Sequence, residues 1–202
     1  MLARSPERLA SLEREIGASR GYAVDVTDRH GLEAVFERIR AELGAPDVLV
    51  HNAGEGSFHA FLDASPEALE RSFRTNALAL LYLGQLAAPA MLEKGRGDIV
   101  VIGATASLRG GANFAAFAPA KAAQRSLAQS MARSLGPRGI HVSYVVVDGV
   151  IDLPRTRRLL PDRPDAFFLK PSAIAETVYH LVQQDPSAWT FEVDVRPFGE
   201  KW

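Results

Sequence analysis

The stretch DIVVIGATASLRGGANFAAFAPAKAAQRSLAQSMARSLGPRGIHVSYVVVDG, Asp98 to Gly149, decides the fold. It opens on an apolar, β-branched run, Asp98 to Gly103, and passes into a helical pattern over about Phe114 to Leu135. Gly136-Pro137 stops that pattern, and a second apolar run follows at His141 to Val147. Runs that stay apolar without alternating are those of a parallel sheet covered on both faces. A helix-length segment between two such runs makes a right-handed crossover and sets the two strands parallel.

The same alternation extends outward. Gly21 to Val26 (GYAVDV) and Asp47 to His51 (DVLVH) read as two further strands. Between them Leu32, Val35, Phe36, Ile39 and Leu43 keep a 3.6-residue period, with Thr27 or Asp28 as N-cap and Gly44 as the stop. Ser65-Pro66 opens another helix as N-cap and first helical residue, and its pattern runs through Leu69, Phe73, Leu80 and Leu83 to Gly95. A last helix starts at Ser172 and ends before Pro186. From Trp189 to Arg196 apolar and polar residues alternate, which suits an edge or interface strand. The segment Leu153 to Lys170, rich in Pro and Arg, reads as a mobile excursion, a loop or lid at about 153–170. The expected architecture is α/β: one Rossmann-like domain over 1–202, with a doubly wound, mainly parallel sheet.

Composition narrows the function. The 202 residues are 47% hydrophobic and 23% charged, ordinary values for a globular protein. With 23 basic and 24 acidic side chains the formal net charge is -1, so nothing marks a nucleic-acid or anionic-membrane surface, and a small-molecule substrate is expected. There is no Cys, which removes disulfides, thiolate metal sites and a thiol nucleophile. The N-terminal MLARSPERLASLEREIG lacks the continuous apolar core of a secretory signal. The most apolar stretch, Ala77 to Leu92, is shorter than the roughly 18 to 20 residues of a membrane span. A cytoplasmic location is expected. His51 and His59 show no established metal-ligand spacing, and no metal is assigned.

In open parallel sheets ligands bind beyond the carboxyl ends of the strands. Here those ends are Asp25-Val26, Asn52-Ala53-Gly54, Gly103-Ala104-Thr105 and Asp148-Gly149. Read in order, ARSPERL (Ala3 to Leu9), DVTD (Asp25 to Asp28), HNAG (His51 to Gly54), RTN (Arg74 to Asn76), GATASLRGG (Gly103 to Gly111), FAPAK (Phe117 to Lys121), LGPRGIHV (Leu135 to Val142) and VDGVID (Val147 to Asp152) resemble the short-chain dehydrogenase/reductase family. The likeness runs along essentially the whole chain in the family's order.

That resemblance implies NAD(P)-dependent hydride transfer with an Asn, Ser, Tyr and Lys tetrad. Such chemistry needs a hydroxyl to exchange the proton at the substrate oxygen and a nearby cation to favour its ionised form. Asn76 matches the family Asn and Lys121 the Lys. Phe117 takes the Tyr position, and Ala104 falls at the Ser position, with Thr105 next to it as a substitute. By the same resemblance Asp25 would face the adenine, Lys121 would keep a ribose-binding or substrate-facing role, and Val26, Asn52, Ala53, Gly54 and Gly149 would be further cofactor contacts. Arg4 stands where the family often places an Arg against the 2′-phosphate, which tilts the expectation to NADP over NAD. Each has a plainer alternative: Asp25 a strand-end cap, Arg4 a solvated side chain, Asn76 helix packing.

The family's cofactor site opens with a strand, a Gly-rich turn and a helix that hold the pyrophosphate. No such segment occurs here: Gly54-Glu55-Gly56 is followed by His59 where a third Gly would stand. The expectation is an N-terminally truncated version of the fold, lacking the first two strands and first helix, with doubtful cofactor binding. In the family order 3-2-1-4-5-6-7 this leaves Asp47 to His51 with an unpaired apolar edge. The reading is therefore an oxidoreductase by family, weak or inactive as given. Alternatives are a reductase of an activated C=C bond, to which the Arg155, Arg157, Arg158 and Arg163 cluster could offer an anion contact, and a non-catalytic binding or assembly subunit. By the same resemblance a homodimer or homotetramer is expected, paired through the helices around Leu80 and Leu127 and through the Trp189 to Val195 strand.

Overall fold

The computed structural model describes residues 1–200. In chain order the elements are β1 (Leu2–Ala3), α1 (Pro6–Ile16), β2 (Tyr22–Ala23), α2 (Arg29–Leu43), β3 (Val48–His51), α3 (Pro66–Phe73), α4 (Ala79–Lys94), β4 (Gly97–Ala104), α5 (Phe117–Leu135), β5 (Ile140–Val147), β6 (Val150–Ile151), α6 (Pro154–Leu159), β7 (Phe168–Leu169), α7 (Pro171–Leu181) and β8 (Glu192–Val195). The main sheet has the order β3-β4-β5-β8 with every pairing parallel, and β1-β2 and β6-β7 form two small parallel sheets. The α/β architecture with a parallel sheet is as expected.

The continuous apolar runs are explained by what covers them. On one face Ile99, Val101, Val142, Tyr144 and Val146 pack with Leu32 and Phe36 of α2 and Leu80, Leu83 and Met91 of α4. On the other, Val100, Val145 and Val147 pack with Leu181 of α7. Successive side chains of β4 and β5 point to opposite faces, so only a strand apolar at every position can serve both layers. β5 is buried at all eight positions.

The caps read from sequence are in place: Asp28 accepts from Gly31 N, Ser65 from Ala68 N, and Gly95 closes α4 with a left-handed φ of 66°. Sequence reading placed no strand before Gly21, yet Leu2 and Ala3 pair with Tyr22 and Ala23. It also missed α1, whose signal was Ser5-Pro6: Ser5 accepts from Arg8 N, and Pro6 starts the helix. The helix expected from Ser65 to Gly95 is interrupted by a π-turn at Arg74–Leu78, which joins α3 to α4. Taken as one run, Pro66–Lys94 has 29 residues and is long and apolar enough to cross a membrane, so the shorter apolar stretch read from sequence understated it. Half of that run's apolar window is nonetheless buried in the protein, as a core helix requires.

Two surface features gain detail. Leu80, on one of the two helices expected to pair between subunits, is itself 0% exposed inside the core. The excursion Leu153 to Lys170 is built rather than bare: it carries α6, and β7 returns it to β6. Within it the Arg157 guanidinium donates to Asp152 and Asp165 and lies 4.0 Å from the Phe168 ring. Arg157 is thereby spent on holding the segment. Among the described residues β3 pairs with β4 alone, and its Val48 and Val50 are more than two-fifths exposed. β8 is the opposite edge, tied to α5 by Arg125, which donates to both oxygens of Glu192 at 2.5 and 2.8 Å.

Candidate active site

The carboxyl ends of β3, β4 and β5 bring three stretches into one corner: the loop after β3, the turn after β4 and the first turns of α5. Gly54 follows β3. A Cβ added there would lie 3.4 Å from Asn76 Oδ1 and 3.9 Å from Lys121 Nζ, so the glycine leaves open the space between those two groups. Asn76 sits in the π-turn, an irregularity frequent at functional sites because it re-aims one side chain out of the helical ladder. Its Nδ2 donates to Ser72 O at 2.8 Å, to Ser72 Oγ at 3.2 Å and to Glu55 O at 3.1 Å. Its Oδ1 is buried and has no hydrogen-bond partner among the described residues. A buried amide oxygen left so costs free energy unless something else comes to it.

Lys121 is 5% exposed and its Nζ donates to Ile102 O and to Gln124 Oε1, each at 3.0 Å. Burial pushes this amine down to about 8. Phe117, one turn earlier, carries its ring 6.0 Å from Nζ. The expected pairing of Phe117 and Lys121 on one helical face is therefore present. Phe117 also closes an aromatic wall, its centroid 5.5 Å from Phe58 and 6.0 Å from Phe114, which are themselves 5.4 Å apart. Sequence reading overlooked Phe58 and Phe114, whose recruitment depends on the bridge between His59 and Phe114.

Ala104, matched by resemblance to the Ser position, ends β4 in an extended conformation with only a methyl side chain. Thr105, the candidate substitute, donates its hydroxyl to Asp148 Oδ1 at 2.5 Å. Asp148 is further bound by Arg196 at 3.4 Å, and a cleft of about 80 Å³ opens beside these three with Leu108 and Arg109. Thr105 thus faces a carboxylate instead of standing free. Gly149, with φ 147°, lies where a Cβ would meet Pro197 at 2.9 Å and Leu169 at 3.2 Å, so its backbone geometry and its neighbours both demand Gly.

At the far end of the fold Asp25 follows β2. Its carboxylate accepts from Thr27 N at 2.9 Å and from the Thr27 hydroxyl at 2.8 Å. The Thr27 backbone bond first, with the Thr27 hydroxyl and the Arg4 charge, holds this carboxyl below the usual range against the opposing effect of burial. Asp25 therefore does act as a strand-end cap, and exposed Arg4 stands in its field. Val26 packs against the main core, Asn52 is exposed and Ala53 half-buried after β3.

His51 lies behind the corner, with Nε2 3.3 Å from Asn76 O and Nδ1 without a partner among the described residues. Burial, and then the Lys121 charge, push it down to about 4 from 6.5. The unfolded chain binds this proton below about pH 6.5 and the folded chain only near 4, so stability is full above the first value and falls as pH drops through the window. The slope is up to about 1.4 kcal/mol per pH unit. Denaturant midpoints at pH 7, 6 and 5 should fall with this slope and flatten in His51→Gln; equal slopes in both proteins would exclude His51 as the cause.

A family model described as short chain dehydrogenase matches residues 1–163. The 3-oxoacyl-(acyl-carrier-protein) reductase FabG of Escherichia coli (strain K12) is 35% identical over 149 residues, 73% of this chain and 61% of that protein. The chain thus spans about three-fifths of that relative's length. Among solved structures, a short-chain dehydrogenase from Rhodopseudomonas palustris superposes with a TM-score of 0.81 at 35% identity, covering 98% of this chain and 85% of the other. A metagenomic short-chain oxidoreductase in complex with NADP gives 0.82 at 28% identity, with coverage of 98% and 85%.

Proposed function

This chain belongs to the short-chain dehydrogenase family, and we propose that it is an NAD(P)-dependent oxidoreductase of small molecules whose ordinary carbonyl chemistry is strongly reduced. The observation that carries this reading is the half-kept corner: Lys121 and Asn76 are placed and polar, while Phe117 and Ala104 present carbon where proton donation would occur. Relatives that share the fold support the cofactor class, one of them being an NADP complex.

The nicotinamide end fits the residues present. The orphaned Asn76 Oδ1 and the gap kept open by Gly54 beside Lys121 Nζ call for a polar partner. Asn52, Ala53, Gly54 and Lys121 would hold the ribose and nicotinamide, Gly149 would border the ring, and Asp25, Val26 and Arg4 would meet the adenine half. The bound dinucleotide supplies the hydride. On the protein's side, Lys121 provides a fixed positive charge near the developing alkoxide, the aromatic wall excludes water, and Asn76 braces the π-turn. No hydroxyl in this corner is poised to give the proton that a ketone oxygen needs. The sequence carries no Gly-rich turn for the pyrophosphate, so affinity should be low. Titration calorimetry of the 202-residue chain with NADPH and with NADH should show affinity weaker than micromolar. Micromolar binding would overturn that part of the reading.

One observation favours a second substrate class. The wall of Phe58, Phe114 and Phe117 suits an apolar, conjugated substrate, and reduction of an already polarised C=C bond asks less of a proton donor at oxygen. Self-association as a homodimer or homotetramer is supported by the exposed apolar side chains Phe61 and Leu62, in the turn before α3, and Leu69 and Phe73 along it.

A further inference from the structure

We propose that Gln124 and Tyr144 are positioning residues for Lys121: together they hold its charged ammonium in the wall of the site. The proposal rests on the reading of Lys121 as the surviving lysine of a hydride-transfer site.

An ammonium has three N–H donors, and burying it demands acceptors for them. Lys121 has two, the main-chain carbonyl of Ile102 and the side-chain oxygen of Gln124. The carbonyl would be there whatever the sequence. Gln124 is different, because a primary amide at 0% exposure is costly unless its polar atoms are used. It stands on the stripe of α5 where Ala120 and Ala128, one turn to either side, are both fully buried. Its Nε2 has no partner among the described residues, whereas its Oε1 has two donors, Lys121 Nζ at 3.0 Å and the Tyr144 hydroxyl at 3.3 Å. The oxygen is what the position uses.

Tyr144 fixes that oxygen from the sheet side. It projects from β5 with 0% exposure, and its hydroxyl lies against Ser107 and the backbone of Ala104. Gly103 makes this passage possible, since a Cβ at that residue would fall on the Tyr144 ring. Through Tyr144 the acceptor for Lys121 is therefore referenced to Ala104, the residue that occupies the Ser position.

Charge explains why an amide is needed. No carboxylate forms an ion pair with Lys121 among the described residues. The titratable groups facing it are His51 from β3, which burial keeps neutral to about pH 4, and Tyr144 from β5, which burial pushes up to about 12. On α5 itself Arg125 turns away to Glu192. Removing Gln124 Oε1 would leave the ammonium with one acceptor, and desolvation would then favour the neutral amine.

The chain has four lysines, so the side-chain signals of ¹³C-labelled lysine give a four-line spectrum in which Lys121→Arg identifies the Lys121 signal. Its titration is read on the whole chain without cofactor or substrate, and the result is independent of whether the chain transfers hydride. Gln124→Met should lower the Lys121 midpoint by a pH unit or more, a tenfold loss of proton affinity, and Gln124→Glu should raise it by as much. Tyr144→Phe should lower it by less. Unmoved midpoints in both Gln124 variants overturn the proposal, and an unmoved midpoint in Tyr144→Phe removes Tyr144 from it. Should Gln124→Met fail to fold, Gln124→Glu decides: a raised midpoint supports the proposal, and an unmoved or lowered one ends it.

Discussion

Ala104→Ser combined with Phe117→Tyr should raise NADPH-dependent ketone reduction by about 10²- to 10⁴-fold, the usual worth of one positioned general acid. The backbone at both places is already suited to the change. Ala104 is the last residue of β4 and Phe117 the first of α5, and Lys121 stands one turn beyond with its ring contact at 6.0 Å. A hydroxyl added to Phe117 extends a ring already held by Phe58 and Phe114, so the substitution asks for no new side-chain path. Lys121, with its amine pushed down to about 8, remains largely charged at neutral pH and would favour the phenolate. The rate is best measured at millimolar NADPH, so that weak cofactor binding does not mask the chemical step. The two single variants should gain less than the pair, because the groups would act on the same oxygen. An unchanged rate in the double variant would move the assignment to the C=C reading or to a non-catalytic role.

Leu80→Ala should destabilise the fold by about 2 to 5 kcal/mol and leave the oligomeric state unchanged. Leu80 is 0% exposed, between α4 and the sheet in the cluster that contains Leu83, Met91, Ile99 and Val101. Truncating it removes buried methyl groups and leaves a cavity that β-branched neighbours on a sheet cannot collapse to fill. Urea unfolding gives the stability change, and light scattering during size exclusion gives the mass. A lost oligomer with little loss of stability would instead place Leu80 at a subunit contact. Substitutions on exposed Leu69 or Phe73 should behave in the opposite sense, changing association more than stability.

Much of the fold was legible because two simple rules carry it. Runs such as Asp98 to Gly103 and His141 to Val147 are apolar at each step, which only a sheet covered on both sides requires, and Asp28, Ser65 and Gly95 mark helix ends by local chemistry. Other features followed from contacts remote in sequence. The π-turn at Arg74–Leu78 leaves no periodic trace, since the apolar pattern passes through it. The stub strand Leu2–Ala3 is too short for any alternation to register, and it exists because Tyr22 N donates to Met1 O and Val24 N to Ala3 O.

The candidate site divides along the same line. Asn76, Lys121, Phe117 and Ala104 could be named only through the family resemblance, and in the structure Asn76, Lys121 and Phe117 lie around one corner with Ala104 at the adjoining end of β4. Gln124 offered one local clue, a polar residue on a buried helical stripe, three residues after Lys121 on the same face. Nothing local marks Tyr144 as its partner, because twenty residues separate them and only the crossing of α5 over β5 brings the hydroxyl to 3.3 Å. Thr105 shows the converse: its identity made it a substitute for the missing Ser, and its contact with Asp148, forty-three residues away, gave its hydroxyl another use.

By itself, then, the sequence determined the parallel α/β architecture, the family resemblance and the carbon side chains of Ala104 and Phe117, since those depend on side-chain type and periodicity along the chain. Tertiary structure alone decided which polar atoms the buried Lys121 can reach, that Asn76 Oδ1 is left without a partner among the described residues, that Arg157 is committed to its own flap, and that Leu80 is core. The physical reason is burial: once water is excluded, the state of each polar group is set by acceptors and donors that the fold, not the neighbouring residues, delivers.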